Sequence, residues 1–515
     1  MCREGLALGL KRSLKFRDLV ILGIAGAIGT GVFFSNAGMA AAAGPGVILA
    51  WIIGAIMYLF VALTYMELGQ AYPEAGGPSR YSLYTHGRTT NMLTAFADLV
   101  WYLFIPPIEA LATVEGINYF WPHLIASGGN PTVLGGVAGI ILVLLFLPFN
   151  YYGIKAFART TNFIGVIKVA LYVLAAIGFI TMAHFGNLVH FGGFTPFGIR
   201  GVWTAIPLAM FAFGGIRMIP DYGGEITSPK EMARSIVWVV LGQTIIYILF
   251  ALAFVVALNW STVHLHPGAW ASVSSIPGNP FLVMAHAGNY GWLIGLTAVV
   301  AILGPFVTGY IYQGSGSRIL YAMSRSGIVS RRLQQLNQDY AVPAWALIVF
   351  TITGAIVAFI AAPFPSIYAL ISDAVVAGYL GFSVNPVVMM ARYRSGASGS
   401  FGKQVIAVLA FVAASLVVYW SGWPSVPYAV ILVFLAAVIF GVIYKVKQGF
   451  VQALWYIAYM LFLVLMTYIG SVGAKTLVSF NVGSLIVVVV SVLLFLPWGV
   501  GSRIKDVHLT SEESA

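Results

Sequence analysis

Charge is scarce in this 515-residue sequence: 8% of positions are Asp, Glu, Lys or Arg, where soluble globular domains carry about 25%. One cysteine, Cys2, leaves no partner for an internal disulfide and no thiolate cluster for a metal. The eight histidines show no metal-ligand spacing, and His264 and His266 fall in a polar loop, so neither metal nor cofactor is expected. Acidic residues are fewer than basic ones, 15 against 26. What the sequence has instead is apolar surface, 60% of residues at a mean hydropathy of +0.93. No single soluble core hides that much, which excludes nucleic-acid binders, secreted disulfide scaffolds and disordered tails. The reading is an all-α polytopic membrane protein. The basic start leads into an apolar run long enough to span, so no cleavable signal peptide is expected.

A spanning helix takes about 20 apolar residues. Runs of that kind lie near 18–42, 46–70, 92–121, 132–148, 160–183, 201–225 and 234–258, then 291–323, 343–362, 366–391, 404–420, 427–444, 451–470 and 481–499. That makes 14 spans, or 12 if 451–499 does not cross as a hairpin. With the first residues inside, 22 of the 26 basic residues fall in inner segments and only Arg200 and Lys475 in outer ones. Inverting the chain would reverse this bias, so both termini are expected in the cytoplasm of a multi-pass cell-membrane protein. Lys168 and Arg217 are left inside spans. The longest outer loop, about 259–290, is expected to hold a short helix near 279–288 and to serve as a lid or a connector. Its Asn259-Trp260-Ser261 sequon lies close to the membrane and carries little weight.

Two spans are interrupted. Gly23-Ile24-Ala25-Gly26-Ala27-Ile28-Gly29-Thr30-Gly31 puts four glycines at mid-membrane depth, each costing a helix roughly 1 kcal/mol relative to Ala. In span six, Phe211-Ala212-Phe213-Gly214-Gly215-Ile216 is soon followed by Pro220 and Gly223-Gly224. Lipid cannot satisfy freed backbone groups, so such breaks either line a cavity or mark close packing of small residues. Matching breaks in spans that start from opposite faces point to an inverted repeat with a midplane substrate site.

Four stretches then carry a resemblance: Ile28 to Phe33; Glu67-Leu68-Gly69-Gln70-Ala71-Tyr72-Pro73-Glu74-Ala75-Gly76-Gly77; Phe211 to Pro229; and Ser317 to Gly327. In order and spacing the chain is similar, over roughly 14–395, to the amino acid–polyamine–organocation (APC) superfamily, in particular its prokaryotic proton-coupled amino acid permeases. The resemblance implies a LeuT-type core of ten helices as two inverted five-helix repeats with alternating access, plus about four C-terminal helices. The segments would be a cytoplasmic 1–17, repeats at 18–183 and 201–391, added helices at 404–499 and a cytoplasmic tail at 500–515. It further implies that a substrate α-carboxylate sits on amides of Gly29, Thr30 and Gly31, and an α-ammonium near carbonyls of Ala27, Phe211, Ala212 and Gly214. Ile28 and Ile216 complete that set, and Phe211 or Phe213 would be an aromatic gate.

Charges within the spans carry the mechanism. Lys168 is costly at depth and should face a cavity or partner unless it snorkels to the inner interface. By resemblance it matches the span-five lysine that stands in the sodium position of proton-coupled members, near carbonyls of Ala25 and Ile28. It is the expected coupling residue. Arg217 departs from the family pattern and suits either an anionic substrate side chain or an ion pair with Glu109, Asp221 or Glu225. Glu109 and Glu115 in span three are six apart and do not share a helix face. Glu109 is expected at the cavity and Glu115 nearer the outer solvent, with Asp98 a few turns earlier and Asp373 another potential charge partner.

The expected function is secondary active uptake of an amino acid by proton symport, without enzymatic activity. Partners are a small amino acid or amine, protons and the bilayer, not nucleic acid; oligomeric state is unread. Sodium coupling, exchange, a permease-like nutrient sensor and, remotely, an antiporter-like respiratory subunit are the alternatives. Ala25, Ala27, Ala212 and Gly215 suggest a modest neutral substrate, while Arg217 leaves an acidic one open.

Overall fold

The computed structural model describes residues 9–126, 129–361 and 367–504, without the side chains of 361–375. Among them the regular structure is helical, with only isolated bridges besides. Helices fill all fourteen expected stretches. Span one is split into Phe16–Ala27 and Thr30–Ala43; spans two to five are Val47–Ala71, Leu83–Asn118, Val133–Tyr151 and Ile154–Ile180. Span six runs Gly198–Ala212, tightens to a 3₁₀ segment at Phe213–Arg217 and ends at Met218–Asp221. Pro229–Ala257, Gly291–Arg325, Ala344–Ala361 and Ile367–Arg394 complete the ten-helix core. Four more follow: Phe401–Ser421, Ser425–Ile443, Phe450–Ile469 and Phe480–Gly501. The last two are separate apolar helices of 20 and 22 residues, each long enough to cross, as the reading of fourteen spans requires.

Large apolar side chains such as Ile141, Phe163, Ile245 and Val442 stand exposed on the helix exteriors. A surface of that extent is stable against lipid rather than water. Inside, span three packs along spans eight and ten, span two along span seven, and the inner half of span one against spans five and seven. The outer half of span one lies against span six, so the two broken helices sit together in the middle of the bundle. The contact is close: a Cβ on Gly215 would come within 2.7 Å of Ala27 Cα and 2.8 Å of its nitrogen.

In the long outer loop the expected short helix forms at Pro280–Ala287, where the Asn279 side chain accepts from the amides of Phe281 and Leu282 at 3.1 and 3.3 Å. Phe281 packs on Phe33, centroid to centroid 5.3 Å, so this helix rests on the outer half of span one.

At the opposite end the family-like loop acquires a physical role. Gly76 has φ +65° and packs on the backbone of Arg318, a conformation and an approach open only to glycine. Its amide donates to the Asp221 carbonyl at 2.7 Å, tying the loop to span six. Arg318 in turn grips Glu225 with two bonds of 2.8 and 2.7 Å. The amides of Ser13 and Leu14 donate to the Glu225 carbonyl at 2.8 and 3.0 Å, which straps the start of span one to the end of span six.

Candidate functional site

Breaking a helix leaves carbonyls without donors at the end of one half and amides without acceptors at the start of the other. In span one Ile28 (φ −81°, ψ 73°) and Gly29 (φ −106°, ψ −140°) leave helical geometry. Several of the freed groups there are met by buried side chains from neighbouring spans.

The inner half ends on carbonyls, the negative end of its dipole. Lys168 of span five, fully buried, donates from Nζ to the Ala25 carbonyl at 2.7 Å, to the Gly304 carbonyl at 2.6 Å and to Thr308 Oγ1 at 2.9 Å. The ammonium therefore does not snorkel. Its expected contact with Ala25 is present, while the Ile28 carbonyl is not among its partners; span eight supplies the rest. Gln243 and Tyr247, one turn apart on span seven, cover the neighbouring carbonyls. Gln243 donates to Gly23 at 3.1 Å, and the Tyr247 hydroxyl reaches both Ala27 at 3.1 Å and Ala212 at 2.7 Å.

The outer half begins on amides, the positive end of its dipole. Its N-cap, Gly29, has no side chain to cap it, and the cap comes from Glu109 of span three. The Thr30 amide donates to both carboxylate oxygens, at 3.3 and 3.1 Å, and the Thr30 hydroxyl to one of them at 2.9 Å. A Cβ on Gly29 would run into this carboxylate. Glu109 and Lys168 thus hold opposite sides of the break, without a direct ion pair between them among the described residues.

The break in span six is milder, since 3₁₀ tightening keeps most backbone groups paired. Phe211 lies over Gly31, 3.5 Å from where a Cβ would stand. Phe213 instead points into the bundle, against Trp51, Tyr58 and Tyr247. Of the two aromatic candidates, only Phe211 lies against the break of span one. Gly214 packs on Trp101, and Ile216 is buried.

Arg217 does not pair with Glu109, Asp221 or Glu225 as expected. Its partner is Asp98, and the guanidinium is boxed by the rings of Trp101, Tyr102 and Phe382 at 5.2, 5.5 and 4.9 Å. Asp221 accepts from the Tyr102 hydroxyl and Glu225 belongs to Arg318. The reason is axial position along one helix face. Asp98 and Glu109 are eleven residues apart on span three, three turns that bring both to one face about 16 Å apart. Arg217 therefore pairs about three turns of span three away from the carboxylate that caps Thr30. That eleven-residue spacing was legible in the sequence; the partners Gln243, Tyr247, Gly304 and Thr308 carried no comparable signal.

Breaking a buried pair by removing one partner costs about 3–5 kcal/mol. Arg217→Gln and Asp98→Asn should each markedly lower the unfolding midpoint in detergent, and the double variant should recover much of the loss. A double variant as unstable as the two losses summed would mean the pair is not coupled. Glu115 is half-buried and lines a cavity of about 490 Å³ with Asn118, Asn279 and His286. The Asp373 side chain lies outside the described residues.

These features have counterparts in known proteins. Residues 14–395 match the amino acid permease family. The chain is 29% identical to the aspartate-proton symporter of Bacillus subtilis, over 97% of both proteins. It is 27% identical to the glutamate/serine transporter AimA of the same organism, over 97% of this chain and 95% of that one. A branched-chain amino acid permease, BcaP, is 28% identical over 65% of this chain and 71% of its own length. With a broken span one facing a broken span six at the centre of the bundle and the family match covering both, the chain belongs to the amino acid permease family of the APC superfamily and is a membrane transporter rather than an enzyme.

Proposed function

We propose that this permease takes up an α-amino acid together with a proton, both termini facing the cytoplasm, and that Glu109 and Tyr247 hold the substrate's place between cycles. The observation that carries this reading is the carboxylate of Glu109 on the Thr30 amide and hydroxyl. A substrate carboxylate would take those donors at Gly29, Thr30 and Gly31, and an ammonium would take the Ala27 and Ala212 carbonyls that Tyr247 now covers, near Phe211 and Gly214. Lys168, between spans one, five and eight, is the coupling cation; by occupying the inner half-helix terminus it leaves sodium no room. Arg217, Asp221 and Glu225, rather than contacting the substrate side chain, form an inner gate, with Ile28, Phe213 and Ile216 as packing. The repeats are proposed at 18–183 and 201–391, with the 22-to-2 inner excess of basic residues giving the orientation.

Uptake into proteoliposomes tests the reading: a panel including serine, aspartate, glutamate and leucine, with and without an inward proton gradient, in sodium-free buffer. Gradient-dependent accumulation of one class supports it. Sodium-dependent uptake or obligatory exchange would sink the proton coupling, and no flux from folded protein would point to a sensor. Gly215→Val supplies an internal check. The side chain would displace Ala27 from span six, and transport should fall at least tenfold while the protein still inserts, as read by surface labelling.

A further inference from the structure

Spans three, twelve and thirteen enclose a groove of about 640 Å³ at the membrane face where the described chain begins and ends. That volume is in the range of small-molecule sites. Its walls are apolar: Met92 and Leu93 from span three, Phe434 and Val438 from span twelve, Phe450 and Ile457 from span thirteen. Its mouth is basic, formed by Lys445 and Lys447 of the connecting loop. Neither lysine makes an ion pair among the described residues. The sequence has no Asp or Glu anywhere between Asp373 and Asp506, while Arg392, Arg394, Lys403, Lys445, Lys447, Lys475, Arg503 and Lys505 fall within that stretch.

The loop that presents these lysines is held rigidly. The Thr89 amide and hydroxyl donate to the Gln448 carbonyl at 3.0 and 2.9 Å. Gly449, at φ +78°, lies against the His86 carbonyl, where a side chain would not fit. Lys445 itself adopts φ +51°, a left-handed backbone that non-glycine residues keep only when their surroundings impose it. An apolar trough ending in two unpaired cations on a held loop backbone at an interface fits an amphiphile with apolar chains and an anionic head.

We propose that this groove binds one anionic phospholipid, its acyl chain along Met92, Phe434 and Val438 and its phosphate at Lys445 and Lys447. The chain's own acidic tail, with Asp506, Glu512 and Glu513, is a poorer occupant because a segment with only Val507 and Leu509 as large apolar residues has little to lay in an apolar trough. The wall at Met92 and Leu93 lies within two turns of Asp98 on the same helix, so the lipid braces the span that carries Asp98 and Glu109. The proposal does not depend on the transport reading, and failure of either leaves the other standing.

Native mass spectrometry of the full-length protein tests it, with phosphatidylglycerol and phosphatidylcholine of identical acyl chains titrated in parallel. Each lysine near a headgroup is worth about fivefold, so wild type should retain the anionic lipid roughly 25-fold better than the zwitterionic one. Lys445→Gln with Lys447→Gln should bring that ratio near one while phosphatidylcholine adducts persist. Val438→Trp, at a position 64% exposed and so tolerant of bulk, should reduce adducts of both lipids. Equal retention by wild type, or a preference that survives in the double-lysine variant, overturns the proposal. So does a preference that emerges only on truncation after Ile504, which would assign the lysines to the tail. Displacement of the lipid by inorganic phosphate would mark a soluble-anion site and overturn it as well.

Discussion

Lys168→Met is expected to abolish gradient-driven accumulation while leaving the protein folded and inserted. The methionine fills the ammonium's volume but donates nothing, so the Ala25 and Gly304 carbonyls and Thr308 Oγ1 each lose a partner in a site closed to solvent. An unsatisfied buried acceptor costs about 1–3 kcal/mol. The inner half of span one would be freed from spans five and eight, and Glu109 would lose its buried counter-charge. A net loss of about 3 kcal/mol corresponds to roughly a hundredfold shift in any equilibrium the ammonium controls. Accumulation against a gradient should therefore fall to background, with facilitated exchange of labelled for unlabelled substrate persisting. The check is counterflow beside gradient-driven uptake in the same vesicles. Wild-type accumulation in the variant would reduce Lys168 to a structural cation.

Glu109→Gln has the second-largest expected effect, and its sign differs for binding and for transport. In wild type an ionised Glu109 competes with the substrate carboxylate for the Thr30 amide and hydroxyl, and a protonated one does not. Substrate binding then takes up a proton, and affinity should rise as pH falls, at most tenfold per pH unit for one proton. Glutamine keeps the size and an acceptor oxygen but competes without charge. Substrate should bind the variant more tightly, in the range of about 5–150-fold typical of coupled sites, and its affinity should be flat with pH. Gradient-driven accumulation should fall, because substrate binding no longer takes up a proton at this carboxylate even though Lys168 remains in place. Isothermal calorimetry across pH, beside uptake, reads both halves. A variant whose affinity keeps the wild-type pH slope would place the proton elsewhere.

Both predictions rest on one structural idea. A break in a buried helix exposes groups that some partner must satisfy in every state of the cycle. Here that partner is the protein's own carboxylate and hydroxyl, with which, on the proposed reading, substrate exchanges. Binding strength is then a difference between two satisfied states, which suits a carrier that must also release its cargo.

Much of this was determined by the sequence alone. Fourteen apolar runs, the glycine clusters at Gly23–Gly31 and Phe211–Gly224 and the loop Glu67–Gly77 specify the spans, both breaks and the family. These are local or periodic properties, set by the thickness of the bilayer and the conformational freedom of glycine. That Lys168 faces the bundle also followed, because an ionised group at depth has few alternatives. What only the tertiary structure decided was the pairing of groups distant along the chain. Arg217 finds Asp98, Glu225 finds Arg318, and Glu109 caps a helix 79 residues before it. Span three could in principle offer Arg217 either carboxylate of one face, and the choice depends on how far span six slides along it. Gly214 packs directly on Trp101 of span three, and Gly215 on Ala27 seats span six against the break of span one. Composition and spacing encode each helix, but the axial register between helices comes from where small residues let backbones meet.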